Sequence, residues 1–546
     1  MKSAIALLLA LLLCLGVLSG CDKNPSKIPA ETTAAPTETT AAPTETTVPI
    51  TEPQPEETEP AAYSFAGKSL DVYAGHASAM DGTDLNRFIE ETLGLDILWL
   101  TPAEGGLTCA PPVYPSLKFT TEALDDFNGI STYGSYGAYV NYWDYQELMP
   151  NFFARFNDES DPVMVAYKQS YMSSEDELYA LPIFTGGDVG RYGWMYRQDI
   201  FEALRLEVPT DWDSFLGVLR TLKAAYPESY PFAMRSKAIS GLYAMGEFAQ
   251  QFGVNYASGA ARDPYTENYY DPGVTDEYRN MLRCIRQLIE EELMDPACLN
   301  YDTAQWQQAF AAGVSFITYD KTIQLSNLEL VGQRQNSEYA VDWFNNFPFF
   351  ADRDNAVPYQ CRDDAVKGYA WITSTKCTDL ELALRYLDWL YSEEGSRIMS
   401  WGIEGESYGV DAEGNKFYLE GFDITYMARY QESGLVDLSA VLEKYTPKCQ
   451  EMILGTMAAA AEGGWEKCRT ILTWSVEEQI LMDTYHQSWV DAKADYLMKF
   501  LTGELDVNQD ADWNAYLESL LPYRVENILA AYDAAYARLQ ESRNAA

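Results

Sequence analysis

The sequence predicts an α/β protein folded as two lobes, and three observations carry that expectation. Short apolar strands alternate with amphipathic helices along the chain, the pattern of α/β folds. Roughly 480 residues follow the last low-complexity stretch, too many for one sheet with so many long helices. The composition, 47% hydrophobic and 14% aromatic, is that of a chain able to fill a large core.

The first elements read cleanly. SLDVYAG (69–75) is a strand, and DLNRFIEETLG places Leu85, Phe88, Ile89 and Leu93 on one helical face before Gly94 ends it. DILWL (96–100) returns as a second strand, so the fold opens on a βαβ unit that should be parallel and right-handed. Thr210-Asp211-Trp212-Asp213, after Pro209, caps a helix whose apolar face holds Trp212, Phe215, Leu216, Leu219 and Leu222. Thr378-x-x-Glu381 and Ser475-x-x-Glu478 read as capping boxes, the second opening a helix that runs towards Gly503. Between helices lie YGWMYR (192–197), VSFITY (314–319) and GYAWIT (368–373), all short apolar strands.

The front of the chain has a different character. Lys2 and the apolar run from Ile5 to Val17 make a leader too short to span a bilayer. Leu18-Ser19-Gly20-Cys21 resembles the lipobox of bacterial lipoproteins, which implies cleavage before Cys21 and a diacylglycerol on its thiol. Two acyl chains hold a protein stably on a membrane where one does not. After Cys21 the chain repeats ETTAAPT, ETTAAPT, ETTVPIT and continues as EPQPEETEP, with no residue set able to form a core. The seven-residue spacing has no apolar seam, so it is a tether and not a coiled coil. Extended at about 3.1 Å per residue, its roughly 40 residues reach about 120 Å.

Net charge is −44, which argues against nucleic acid and against direct docking on anionic lipid. Of nine cysteines, Cys14 leaves with the leader and Cys21 takes lipid. The remaining odd number, with no C-x-x-C, argues against a full disulfide framework and against a zinc ribbon. Free buried thiols are expected.

Four segments, in order, resemble the family 1 extracellular solute-binding proteins of ABC importers, in their Gram-positive lipoprotein branch. They are ELYALPIFTGGDVGRYGWMYRQDIFEALRLEVPTDWDSFLGVLRTL (177–222), AFAAGVSFITYD (309–320), GYAWITSTKC through GNKFY (368–418), and KFLTGELDVNQDADWNAYLESL (499–520). Residues 101–150 match only loosely. The resemblance implies a type II periplasmic-binding-protein-like fold, two lobes closing on a ligand across hinge crossovers. It divides the chain into a leader (1–20), a lipidated cysteine and tether (21–62), lobe 1 (63–185), lobe 2 (186–368), a lobe 1 return (369–400) and a mainly lobe 2 remainder with C-terminal helices (401–546). Crossings are expected near Pro182 to Gly193, near Gly368 to Thr373, and near Ser400.

The enzymatic alternative is a lipid-anchored glycoside hydrolase. With only His76 and His486, the chain has no H-E-x-x-H and no Cys/His nucleophile pair, and it lacks G-x-S-x-G and a P-loop. Glu404 and Glu406, two residues apart on one segment, are poorly placed to flank a glycosidic bond across about 5–10 Å. Asp352-Arg353-Asp354-Asn355 lacks the Gly and distal Glu of an EF-hand and reads as a solvated turn. No enzyme activity, cofactor or metal is expected.

With 39 Tyr, 13 Trp and 22 Phe, the chain has rings to stack on sugar faces, and the family points to an oligosaccharide, with peptide or another polar solute as the alternative. The expected ligand residues are Gly187, Tyr192 and Trp194 at the first crossing, Tyr319 and Asp320 at a strand end, and Trp371 on the return strand. Trp401, Glu404 and Tyr408 in WGIEGESY complete the set. Arg191, Arg197 and Arg362 are the candidates for a basic cleft. The partners implied are the ligand and ABC permease subunits, with the membrane reached through lipid alone and the body a monomer on the outer face of the cell membrane.

Replacing Cys21 by Ala should leave the body folded and release it from the membrane. Cys21→Ala protein still sedimenting with membranes after a high-salt wash would contradict the anchor.

Overall fold

The structure, a computed structural model, describes residues 63–544 apart from 75–76, 102–116, 121–123, 175, 185–191, 236–247, 255–258, 264–265, 351–369 and 464–471. The leader, Cys21, the tether, Gly187, Arg191, Asp352 to Asn355 and Arg362 fall outside the described residues.

Strand β1 (Lys68–Ala74) buries Leu70, Val72 and Ala74 on one face, the period of a half-covered strand. Helix α1 (Asp84–Leu93) is capped by Thr83, which accepts from the Asn86 N–H, and stops at Gly94 in the left-handed region (φ 62°). Strand β2 (Leu95–Leu100) then lies parallel to β1. Strand β3 (Leu117–Thr120) pairs parallel on the other side of β1. The expected βαβ opening is present.

Two further strands complete this first sheet, with order β2-β1-β3-β8-β4. Strand β4 (Leu181–Pro182) lies at its margin. Its partner, β8 (Ala370–Thr373), arrives nearly two hundred residues later and runs antiparallel between β3 and β4. The second sheet has β5 (Tyr192–Arg197) at its centre, with β6 (Ile317–Lys321) and β7 (Val341–Phe344) antiparallel on either side. Phe232 bridges in parallel to Ile317, extending the sheet beyond β6.

Each sheet anchors a lobe. In lobe 2, Trp194 packs against Phe215, Phe232, Phe248, Tyr319, Phe344, Phe347 and Phe349, with ring centroids 5.1 to 6.0 Å away. Helix α2 (Trp212–Ala225) feeds that core; within the expected capping stretch Asp211 is its cap, in a reciprocal box with Ser214. In lobe 1, helix α3 (Leu380–Trp389) is capped by Asp379, one residue past the expected Thr378. Its buried Asp388 accepts from Tyr63 Oη, Asn151 Nδ2 (2.8 Å) and the Phe152 N–H (2.9 Å), fastening the start of the folded body to the lobe. The four described cysteines, Cys284, Cys298, Cys377 and Cys449, are free thiols.

The last passage between lobes comes later than Ser400. Helix α4 (Glu393–Trp401) and the hairpin after it stay with lobe 1, because Tyr418 Oη donates to the Ser400 carbonyl and Tyr430 bonds Thr83. The chain leaves at Val436, whose N–H bonds the Phe184 carbonyl, and reaches lobe 2 by Thr446, whose N–H bonds Ser326 Oγ. Helix α5 (Pro447–Gly463) then lies on lobe 2. A Cβ at Gly455 would sit 2.3 Å from the Trp343 ring, and one at Gly193 2.6 Å from Met452.

The segment 401–546 is therefore divided between the lobes. Leu472 and Trp474 return to lobe 1 through bonds to Asn128 and Thr132. From there helix α6 (Val476–Thr502), with the expected Ser475–Glu478 box and a left-handed Gly503, runs to lobe 2. Helix α7 (Val525–Asn544) comes back, bonding Tyr269 through Asp533 and the Gln169 carbonyl through Arg543.

Where α6 meets lobe 2, Lys493 and Asp271 form a buried ion pair (2.8 Å, both side chains 3% exposed). Trp489 Nε1 and the Gly273 N–H also donate to Asp271. Burial drives the Lys493 pKa below its ordinary value, against the attraction of Asp271. Lys493→Met should cost about 3–5 kcal/mol, because it strands a buried carboxylate. Urea unfolding checks this, and Lys493→Met with Asp271→Asn should recover most of the loss; a single variant as stable as the parent would refute it.

Candidate functional site

Both sheets present one edge to the space between the lobes. In lobe 1, Ala74, Leu100, Thr120 and Pro182 end their strands side by side, and Ala370 begins its strand among them. The carboxyl ends of strands in open α/β sheets are where ligands bind, since backbone groups and loops converge there. In lobe 2, Tyr192 starts β5 opposite Lys321, which ends β6, and β7 ends beside them. The chain passes from β4 to β5 and from β7 to β8, so these two edges are joined directly. A ligand held between the lobes touches both.

The lobe 2 edge is well defined. The half-buried Tyr192 ring stacks on Tyr319 (centroids 5.9 Å, planes 28° apart). Asn346 Nδ2 donates to the Tyr192 carbonyl (3.1 Å), tying the end of β7 to the start of β5. Asp320 is buried (1% exposed), yet it accepts from Arg235 Nε (3.0 Å), Arg235 Nη2 (2.8 Å) and the Lys321 N–H (2.7 Å). A fully satisfied carboxylate of this kind tolerates burial. The fork holds the Arg235 guanidinium flat, and its bonds to Asp320 raise the arginine pKa further. Arg235 keeps a quarter of its side chain exposed and bonds Thr303 Oγ1 (3.2 Å). Lys321 is exposed, and Phe347 is half-buried.

Four expected residues, Tyr192, Trp194, Tyr319 and Asp320, are thus neighbours on one edge. Trp194 and Tyr319 are wholly buried, however, and support the platform from beneath. Trp371 is buried within the first sheet, its carbonyl accepting from Tyr142 Oη (3.4 Å). WGIEGESY departs furthest from expectation. Trp401 is 1% exposed, with its ring 5.0 Å from Tyr418 and 5.8 Å from Tyr408, and Nε1 donates to Asp437 (2.8 Å). Burial pushes the Asp437 pKa up, but bonds from Ser439 and Trp401 outweigh it and hold the carboxyl below its usual range. Tyr408 is buried against Arg397, and Glu404 is exposed. Gly402 and Gly405, at φ 84° and 81°, bend the backbone so that the rings face the lobe. They are packing.

Of the candidate arginines, Arg197 stands at the far end of β5, about 17 Å from Tyr192 at 3.4 Å per residue. It is bound to Asp199 and to the Phe310 carbonyl. Arg235 is the cation that the edge holds in place by a buried carboxylate, and sequence reasoning missed it. Its only local signal is the apolar run PFAM that it ends.

Among the described residues there is no metal-binding cluster of His, Cys, Asp and Glu, and no helix is long and apolar enough to cross a membrane. Residues 137–397 match the family model of the bacterial extracellular solute-binding proteins. That match spans just under half of the chain. No curated protein matches its sequence. Among solved structures, an alginate-binding protein determined without calcium ion is similar, at TM-score 0.65 and 15% identity, covering 88% of this chain and 100% of that one. An HMO-binding ABC-transporter-associated solute-binding protein from Bifidobacterium longum infantis gives 0.63 at 14% identity, covering 86% of this chain and 98% of its own. The Streptococcus pneumoniae ABC-transporter substrate-binding protein FusA, in complex with kestose, gives 0.56 at 15%, covering 87% and 99%. These likenesses establish the fold: the chain has the two-lobed, type II periplasmic-binding-protein-like architecture.

Trp401→Ala should destabilise the protein by about 3–5 kcal/mol, the cost of emptying a tryptophan site in a core. Its ligand affinity should stay within about twofold, well inside the tenfold that 1.4 kcal/mol represents. Chemical unfolding and calorimetry read the two separately, and weaker binding with unchanged stability would return Trp401 to the site.

Proposed function

We propose that the protein is the lipid-anchored capture component of an ABC importer, closing its lobes on an oligosaccharide and passing it unaltered to a membrane permease. The observation that carries this reading is the lobe 2 edge, where the half-buried Tyr192 ring on one face of the sheet and the Arg235 guanidinium held by Asp320 on the other both stand at the strand ends. Sugars offer an apolar C–H face to a ring and hydroxyls to nearby donors, so these two groups match their surface. Proteins of the same fold are named for alginate and, in one complex, kestose, which supports the same class.

Anchoring would come from Cys21, with the Thr/Pro/Glu tether leaving the body free to meet a permease. The body is expected to act as a monomer, without cofactor or metal. A binding role needs a hinge and a closed state that holds ligand more tightly than the open one, not a reactive group. To move the lobes from mostly open to mostly closed, that preference must approach about 10⁴-fold.

The test uses protein lacking residues 1–62. A thermal-shift screen over oligosaccharides should find a ligand, small-angle scattering should then show a smaller radius of gyration, and mass spectrometry should recover the sugar intact. Cleaved sugar would replace the binder with a hydrolase.

A further inference from the structure

We propose that Arg235, held by the buried Asp320 at the end of β6, is a specificity-determining residue of the lobe 2 edge, and that it takes an uncharged sugar residue through two adjacent hydroxyls. The inference rests on the carbohydrate reading above and narrows it. Arg235 follows the stretch that joins the second sheet, where the Ala233 N–H bonds the Ile317 carbonyl (3.1 Å). It therefore comes level with the end of β6, at the edge facing lobe 1. Its Nε and Nη2 are bound to Asp320 and its Nη1 to Thr303, which leaves one N–H on each terminal nitrogen free to donate. Two donors on a rigid fork match two oxygens on neighbouring carbons better than one isolated oxygen.

Charge decides between hydroxyls and carboxylates. Asp320, at 2.8 Å, cancels most of the Arg235 field, so an incoming ligand meets a dipole instead of a free cation. The chain as a whole carries −44, which repels an oligouronide. Lys321 is the other cation at this edge, but it is exposed and therefore screened by solvent and salt. Neutral hydroxyls lose nothing to either effect. Thr303 and the Trp306 face behind Arg235 (5.8 Å from the guanidinium carbon to the ring centroid) fix the guanidinium before ligand arrives, so little ordering cost is left for binding.

Calorimetry on the body (residues 63–546) would use uncharged gluco-, fructo-, galacto- and manno-oligosaccharides and a matched set of oligouronides. The wild type should bind an uncharged member at least tenfold more tightly than any uronide. Arg235→Met alone strands the buried Asp320 and should lower the melting temperature, so the test variant is Arg235→Met with Asp320→Asn, which should weaken that binding at least tenfold while staying folded; Arg235→Lys should recover only part of it, and Lys321→Met should leave it within twofold. Uronides binding best, the double variant binding like the wild type, or Lys321→Met producing the loss would each overturn this assignment while leaving a carbohydrate binder in place. A wild type that binds no sugar of either set would overturn both readings.

Discussion

Strand β8 is bonded on both sides, to Leu117–Thr120 through the parallel half of the sheet and to Leu181–Pro182 at its margin. Everything between β4 and β8 is consequently an insertion into one sheet, and that insertion forms the bulk of lobe 2, to which later helices add. Its two ends are pinned opposite each other, Ala370 against Pro182, about one strand spacing (~4.8 Å) apart. A third passage lies at the same place, where the Val436 N–H bonds the Phe184 carbonyl and the Phe184 N–H bonds the Gly434 carbonyl, so the connections between the lobes are gathered at one margin of the sheet. A hinge at this place needs no special residue.

The same constraint puts the ligand edge where it is. Strands that abut the hinge must also end or begin at the interlobe space, so Tyr192 at the start of β5 is both a hinge-proximal residue and a platform. The aromatic cluster around Trp194 keeps that platform from deforming as the lobes move, since close-packed rings leave no room for partial shifts. Rigid edges on a compliant joint let binding energy be spent on closure.

Local signals carried much of the fold into the sequence. The βαβ opening was legible because cap, apolar stripe and terminal glycine lie within thirty residues, and the Ser475 box because its two partners are three apart. The site was legible only in part. Asp320 stood out at a strand end, but its partner Arg235 lies 85 residues away, and nothing local announces the pair. Trp401 beside three glycines looked like a stacking ring reaching into a cleft, yet sequence has no sign of which side a ring faces. Tyr418 and Asp437, both distant in sequence, decide that it faces inward. The late crossing escaped for the same reason, since bonds from Tyr418 and Tyr430 keep the hairpin with lobe 1.

Helix α6 has a mechanical consequence. At 27 residues it is about 40 Å long, fastened to lobe 1 at one end through Trp474 and to lobe 2 farther along through Trp489 and Lys493. Helix α7 doubles it, gripping lobe 2 at Tyr269 and lobe 1 at Gln169. A beam clamped in two bodies sets the axis about which they can turn: a rotation whose axis passes far from it would have to stretch the beam, and an α-helix barely stretches without breaking its hydrogen bonds. Jaw movement in this protein is therefore confined to rotations that flex or twist the helix pair, and the pair returns that strain as a restoring torque when the jaws release.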